Sequence, residues 1–402
     1  MSEQLAHEQQ VVEQQVDGSL FSSYFPLPYR AVSTFVFGIW AWAITLQYLT
    51  NLHIDVESLI RFNQQRSGPP LYRSVYEVAA ILTFVYAVSA ALFSMASNGS
   101  TYLTFFGLDI WALSCLVAVP AVFFYPGYAF HQSGRFRFLR TLRRILLGGL
   151  DRDTRFADIL VADALTSYTK VLGDMWVMTC MVVSNKPVVS IPDRACGSLY
   201  VVPTIVAIPY LIRLRQCLTD FLRSGARDTT HLLNAAKYAT TFPVIILSTM
   251  QTSSDNASPE FGALTRYNLW ILSMVVNSLF SFYWDVTKDW DLTMFKIASS
   301  KDSNLPHKGL RSILCFPSPY IYYAAVFLDF ILRFTWSLKV SPHLYFFTDQ
   351  EGSVFALEIM ELFRRWIWLF LRIETEWIRT TGAGRLPIAM ADMSSEAHEA
   401  KD

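Results

Sequence analysis

Charge is scarce in this chain. Only 16% of its 402 residues are Asp, Glu, Lys or Arg, where a soluble domain carries about a quarter. The charge present is balanced, 33 basic against 33 acidic residues. No basic field for DNA or RNA is therefore expected, and nucleic acid is excluded as a partner. The five cysteines (Cys115, Cys180, Cys196, Cys217 and Cys315) contain no CxxC spacing, which argues against a zinc site or a redox pair. HExxH, GxxxxGK[ST] and GxSxG are all missing, so the residues of metalloprotease, P-loop and hydrolase chemistry are not at hand. We expect no enzyme activity and no cofactor. His231 stands alone before an apolar run and reads as a helix-entry hydrogen bonder rather than a base. Met1 to Ser19 lacks the basic start and apolar core of a secretory signal, so the first apolar run must itself direct insertion.

Apolar and aromatic residues are abundant instead, at 52% and 15%. About 20 consecutive apolar residues cross a bilayer as a helix. Nine runs approach this description: Ala31 to Leu49, Val75 to Met95, Leu103 to Tyr125, Phe156 to Val183, Tyr200 to Leu222, Leu232 to Met250, Tyr267 to Trp284, Tyr320 to Trp336 and Val354 to Ile373. The fifth is interrupted by Pro203 and Pro209 and carries Arg213 and Arg215 near its end. The expected fold is an all-α polytopic membrane protein with about nine transmembrane helices. Residues 1–28 form a luminal polar tail, 29–134 three N-terminal transmembrane helices, 135–381 a six-helix domain, and 382–402 a disordered cytosolic tail.

Basic residues cluster after the first run (Arg61, Arg66, Arg73), the third (Arg135 through Arg155), the fifth (Arg223, Arg227) and the seventh (Lys288 through Arg311). With nine alternating spans all four clusters share one side, which positive charge marks as cytosolic. The N-terminus then faces the lumen or exterior and the C-terminus the cytosol. Two sequons, Asn98-Gly99-Ser100 and Asn256-Ala257-Ser258, fall on the luminal side. Cys180 and Cys196 also lie near that side, where a disulfide is permitted.

Ionisable residues inside membrane runs are expensive and point to function. Asp163, Thr166, Lys170 and Asp174 follow helical spacing in the fourth run. Asn234, Lys237, Tyr238 and Thr241 do so in the sixth; Asp285 and Asp289 close the seventh; Asp329, Arg333 and Trp336 share a face of the eighth. Glu361, Arg364, Arg365, Trp368 and Arg372 share a face of the ninth. Asp329 with Arg333, and Glu361 with Arg365, could be simple helix salt bridges. Polar stripes on five helices must nonetheless face one another or water, which predicts a hydrated interior. Lys237, Arg333, Arg364 and Arg365 place cations there, and the Arg fork matches a tetrahedral oxyanion. Asp163, Asp285 and Asp289 would orient those cations.

Six segments in order resemble the EXS-domain family of phosphate exporters: Phe156 to Asp163, Arg213 to Leu218, His231 to Tyr238, Tyr283 to Trp290, Asp329 to Trp336 and Glu361 to Trp368. The resemblance implies a six-helix transport bundle that passes inorganic phosphate across a lipid bilayer. The anion-handling residues it implies are Asp163, Arg227, Lys237, Tyr238, Asp285, Asp289, Arg333, Trp336, Arg364 and Arg365. About 30 residues precede the first run, too few for the SPX sensor domain of long members. The chain is thus similar to the SPX-less branch, which implies a Golgi membrane, recycling of luminal phosphate released by glycosylation, and retention of Golgi glycosyltransferases. A homodimer and those glycosyltransferases join phosphate as candidate partners. Two other readings are a trafficking adaptor that retains Golgi enzymes without transporting phosphate, and a membrane enzyme acting on lipid or nucleotide phosphates.

Overall fold

In lipid each backbone N–H needs a partner within its own segment, so apolar runs fold as helices. The computed structural model describes residues 21–62, 70–97, 104–127, 130–148, 155–196, 200–254, 262–295, 307–339 and 351–381, and these contain helices and no strand. Both sequons, the first 20 residues and the 382–402 tail lie outside the described residues.

Helix α1 (Leu27–Asn51) carries Pro28 in its first turn, where a missing N–H leaves no bond unmade. It packs on α3 (Leu71–Ser97) and α4 (Thr104–Phe124), with the short α2 (Val56–Leu59) at its end. After α4 comes α5 (Gln132–Leu147), an amphipathic helix where the sequence reads only as a basic connection. Arginines close helix ends here. Arg135 of α5 donates to the carbonyls of Val122 (2.7 Å) in the last turn of α4 and of Tyr125 (2.9 Å) just past it, and Arg215, from a later helix, donates to Ile145 and Leu146 at the end of α5. Carbonyls that have no partner within their own helix are satisfied in this way.

The fourth apolar run is two helices, α6 (Arg155–Ser167) and α7 (Thr169–Val183), parted at Tyr168. Thr166 Oγ1 donates back to the Asp163 carbonyl at 2.7 Å, a competition with the backbone that bends helices. Helix α8 (Val201–Arg223) follows. The sixth run is also two helices, α9 (Thr229–Ala239) and α10 (Thr241–Ser254), parted at Thr240. Pro243 has no N–H for the Ala239 carbonyl, and Thr240 Oγ1 donates to the Lys237 carbonyl at 2.7 Å. Helix α11 (Gly262–Trp284) widens into a π-turn over Asp285–Asp289. Helix α12 (Pro319–Arg333) passes into a 3-10 turn at Thr335–Lys339. Helix α13 (Glu351–Thr381) is 31 residues long and packs on α1, α6, α12 and the π-turn. Five of the described helices are long and apolar enough to cross a membrane: α1, α3, α4, α8 and α11 with its π-turn. Four interruptions, at Tyr168, Thr240, Asp285 and Phe334, break the regular α-helix in the chain after α5.

Cys180 and Cys196 are bridged, which ties the loop after α7 to its own helix. Gly38 of α1 admits the Tyr168 side chain, whose hydroxyl donates to the Thr34 carbonyl at 3.1 Å. A Cβ on Gly38 would lie 2.0 Å from that hydroxyl oxygen. Gly38→Ala should therefore push Tyr168 from the break and cost about 1–3 kcal/mol of stability. Thermal unfolding in detergent reads this directly, and an unchanged midpoint would mean the ring relocates without penalty.

Candidate functional site

The polar faces of α6, α8, α9, the π-turn, α12 and α13 converge on one buried cluster. Asp163 of α6 sits 3% exposed. Arg213 of α8 approaches it at 2.7 Å, and the Tyr238 hydroxyl donates to it at 2.6 Å. Arg213 Nε also donates to the Tyr238 oxygen at 3.0 Å, so the three form a closed triangle. Lys237 turns the other way, 3.7 Å from Asp285 and 3.8 Å from Asp289. Its ammonium lies 4.8 Å from the Tyr238 ring centre and 5.6 Å from that of Trp284, a favourable seat for a desolvated cation.

Asp285 is the centre of the second group. Arg333 binds it directly, and Arg364 stands 3.7 Å away. Arg333 Nε also reaches Asp329 at 3.0 Å. Arg364 donates to Asp329 at 3.1 Å and, through Nε and Nη2, to both oxygens of Glu361 at 2.9 and 2.6 Å. Arg365 is different. Its Nε donates to the Ser167 hydroxyl at 3.0 Å and its Nη2 to the Thr166 hydroxyl at 3.2 Å, with the guanidinium 4.6 Å from the Trp368 ring centre. Among the described residues no carboxylate comes within ion-pairing distance of it. Glu361, one candidate partner of Arg365 in the sequence, pairs with Arg364 instead, because in α13 the i+3 position faces it inside the bundle.

Eight of the ten site residues read from the sequence thus meet in or beside the cluster: Asp163, Lys237, Tyr238, Asp285, Asp289, Arg333, Arg364 and Arg365. Trp336 lies past the end of α12, its Nε1–H donating to Ser278 at 3.0 Å. Arg227 lies in the exposed turn before α9 and is not brought to the cluster. Three members outside that set are Arg213, Asp329 and Glu361. Arg213 had a signal: with Gln216 it occupies the buried side of α8, while Leu211 and Leu218 face outward. Arg372 adds a further cation, 3.8 Å from Asp289 and 2.9 Å from Glu376.

A vestibule of about 1070 Å³ leads to this cluster. Arg213, Asn234, Asp289 and Arg372 border its inner part, and Arg61, Arg155, Lys288 and Arg379 stand among its outer residues. Six Lys and Arg thus line it against the carboxylates of Asp289, Asp291 and Glu376, so its field favours anions. His231 lines it too, 3.4 Å from Asp228 at the start of α9, as its reading as a helix-entry residue requires. Asp228 caps that helix, and hydrogen bonds from the Thr230 side chain and backbone hold its carboxyl below the usual range.

A profile of the EXS family matches residues 25–378. Protein ERD1 homolog 1 of Schizosaccharomyces pombe is 30% identical over 370 residues, covering 89% of this chain and 92% of that protein. Protein ERD1 of Kluyveromyces lactis is 36% identical over 242 residues, 57% of this chain and 60% of its own. Solute carrier family 53 member 1 of Mus pahari is 29% identical over 294 residues, 69% of this chain and 40% of its own length.

Proposed function

The chain belongs to the EXS family, and from that premise we propose that it carries inorganic phosphate across a membrane. The observation that carries this reading is Arg365. It is a cation in the polar interior whose donors, among the described residues, meet two hydroxyls and no carboxylate, two turns of α13 from Arg372, which borders the vestibule. A tetrahedral oxyanion would take the place of the two hydroxyl oxygens as acceptor of the Arg365 fork, while Thr166 and Ser167 keep their own protons on the Asp163 carbonyl and on Glu361, at 2.7 Å each. Arg333, Arg364 and Lys237 stand nearby, each tied by carboxylates that keep the site from closing irreversibly on an anion. A relative named as a solute carrier supports transport rather than enzyme chemistry.

The direction we propose is from the Golgi lumen to the cytosol, recycling phosphate released by glycosylation and so supporting retention of Golgi glycosyltransferases. The N-terminus is luminal and the C-terminus cytosolic in this arrangement. Arg61, Arg155, Lys288 and Arg379, which line the vestibule, come from segments that the positive-inside rule assigns to the cytosol. The vestibule is then the cytosolic exit. Purified protein in liposomes should pass labelled phosphate without any partner, and a tag on the N-terminus should resist protease in sealed Golgi vesicles. Normal enzyme retention by a chain with no flux would favour the adaptor reading instead.

A further inference from the structure

The polar face of α13 does not stop at Arg365. Toward the helix start it continues through Glu361 and Glu358 to Glu351, the first residue. Helix α7 answers with Lys170, 3.9 Å from Glu358, and with Asp174. At this end stands Arg194, two residues before the bridged Cys196. Its Nη1 meets Asp174 at 2.9 Å, and its Nε and Nη2 meet the two oxygens of Glu351 at 2.8 and 2.9 Å. Arg30 of α1 holds the same Glu351 at 2.6 Å. One guanidinium therefore joins the loop to α7 and α13, and through Glu351 to α1. The carboxylates are sunk, with Asp174 8% and Glu351 11% exposed at the side chain, while Arg194 keeps 38% and Lys170 37%.

The vestibule, by contrast, reaches Glu376. At 1.5 Å per residue, Glu376 lies roughly 37 Å along α13 from Glu351. One end of the polar interior is wide, and the other is drawn together by ion pairs on a partly exposed arginine. The carboxylates it holds are buried, so the arginine can leave at low cost only when another anion takes up its charge. The fork of Arg194 that grips Glu351 through two oxygens can grip a phosphate in the same way. Replacing one oxyanion by another keeps the charge pairing intact, and Glu351 retains Arg30.

We propose that Arg194 is the latch of the closed end of the pathway and the first cation that incoming phosphate meets there. The proposal rests on the phosphate reading for its substrate, but the latch itself is geometric. The disulfide keeps the loop attached to α7, so the latch moves as a short arm.

The test uses the full chain in sealed vesicles of one orientation. A thiol is placed below the latch by Ser167→Cys, and the unmodified chain controls for native cysteines. A membrane-impermeant thiol reagent added on the latch side should label it slowly. With Arg194→Ala added, labelling from that side should accelerate several-fold, and labelling from the vestibule side should not change. In the chain without the reporter thiol, Arg194→Ala should raise the half-saturating phosphate concentration on the latch side about tenfold, a loss of about 1.4 kcal/mol. Arg194→Lys should fall between. If Arg194→Ala does not fold, Glu351→Gln frees the same arm without removing it and should also speed labelling. Unchanged labelling, or an unchanged half-saturation on the latch side in a chain that transports, would overturn the latch. Faster labelling in chains that move no phosphate would leave the latch standing and remove its substrate.

Discussion

Arg365→Ala is expected to remove most phosphate flux from a chain that still folds, whereas Arg364→Ala is expected to cost the fold itself. The two residues are adjacent, yet their surroundings differ in kind. Arg364 is 4% exposed and serves Glu361, Asp329 and Asp285 at once. Removing it leaves Glu361 without its ion-pair partner and takes from the buried Asp285 and Asp329 a cation they share with Arg333, at a cost of about 3–5 kcal/mol. Among the described residues Arg365 has hydroxyl partners and a ring face and no carboxylate, so its loss strands no charge. What it removes is a charge-assisted contact to the anion, about 2–3 kcal/mol and so roughly 30- to 100-fold in affinity. Lysine at 365 restores charge without the fork and should rescue in part. The paired variant Glu361→Gln/Arg364→Gln should be milder than Arg364→Gln alone, since fewer charges are left without partners. Liposome flux and thermal unfolding together separate the cases. Wild-type flux in Arg365→Ala, or an unchanged melting point in Arg364→Ala, would reverse the assignment.

The second large effect concerns Asp285. It is 1% exposed and lies within 4 Å of Lys237, Arg333 and Arg364. Asp285→Asn keeps the shape and deletes the charge, leaving three cations to share Asp289, Asp329 and Glu361. The expected loss is about 3–5 kcal/mol. Phosphate should restore part of it, because an added anion can take up the unbalanced positive charge and any ligand of the folded state stabilises that state. A melting series of Asp285→Asn with increasing phosphate measures both. An unmoved melting point would show that the surrounding cations need no central carboxylate. Stabilisation no greater than in the parent chain would place the anion elsewhere.

Hydropathy and helical spacing carry much of this architecture. The apolar runs at α1, α3, α4, α8 and α11 are legible because transfer to lipid is a sum over residues in one segment. The stripe of α13 is legible because periodicity assigns a face. Neither reports what stands opposite. Glu361 could have met Arg364 or Arg365 by spacing alone, and only the position of α6, which offers Thr166 and Ser167 to Arg365, decides it. The breaks at Tyr168 and Thr240 arise from hydroxyls turned back on the chain, a local choice that a run of average apolarity hides; Pro243 was the one visible warning. Arg194 is not legible in the sequence because it lies between spans, where charge is ordinary, and its significance comes from a disulfide and three helices that sequence order keeps apart.

Helix α13 is the last of the described helices to be synthesised. Glu358, Glu361, Arg364, Arg365, Arg372 and Glu374 all lie within it, and a basic or acidic residue at the centre of a lone helix raises its insertion free energy by about 2.5–3.5 kcal/mol. Delivered alone into hydrocarbon, such a segment would be refused by the translocon. Its complements, among them Lys170, Asp285, Asp289 and Asp329, belong to segments that have already left the ribosome. The final helix therefore enters against a finished wall of opposite charge, and biogenesis of this protein must hold the earlier helices together until it arrives.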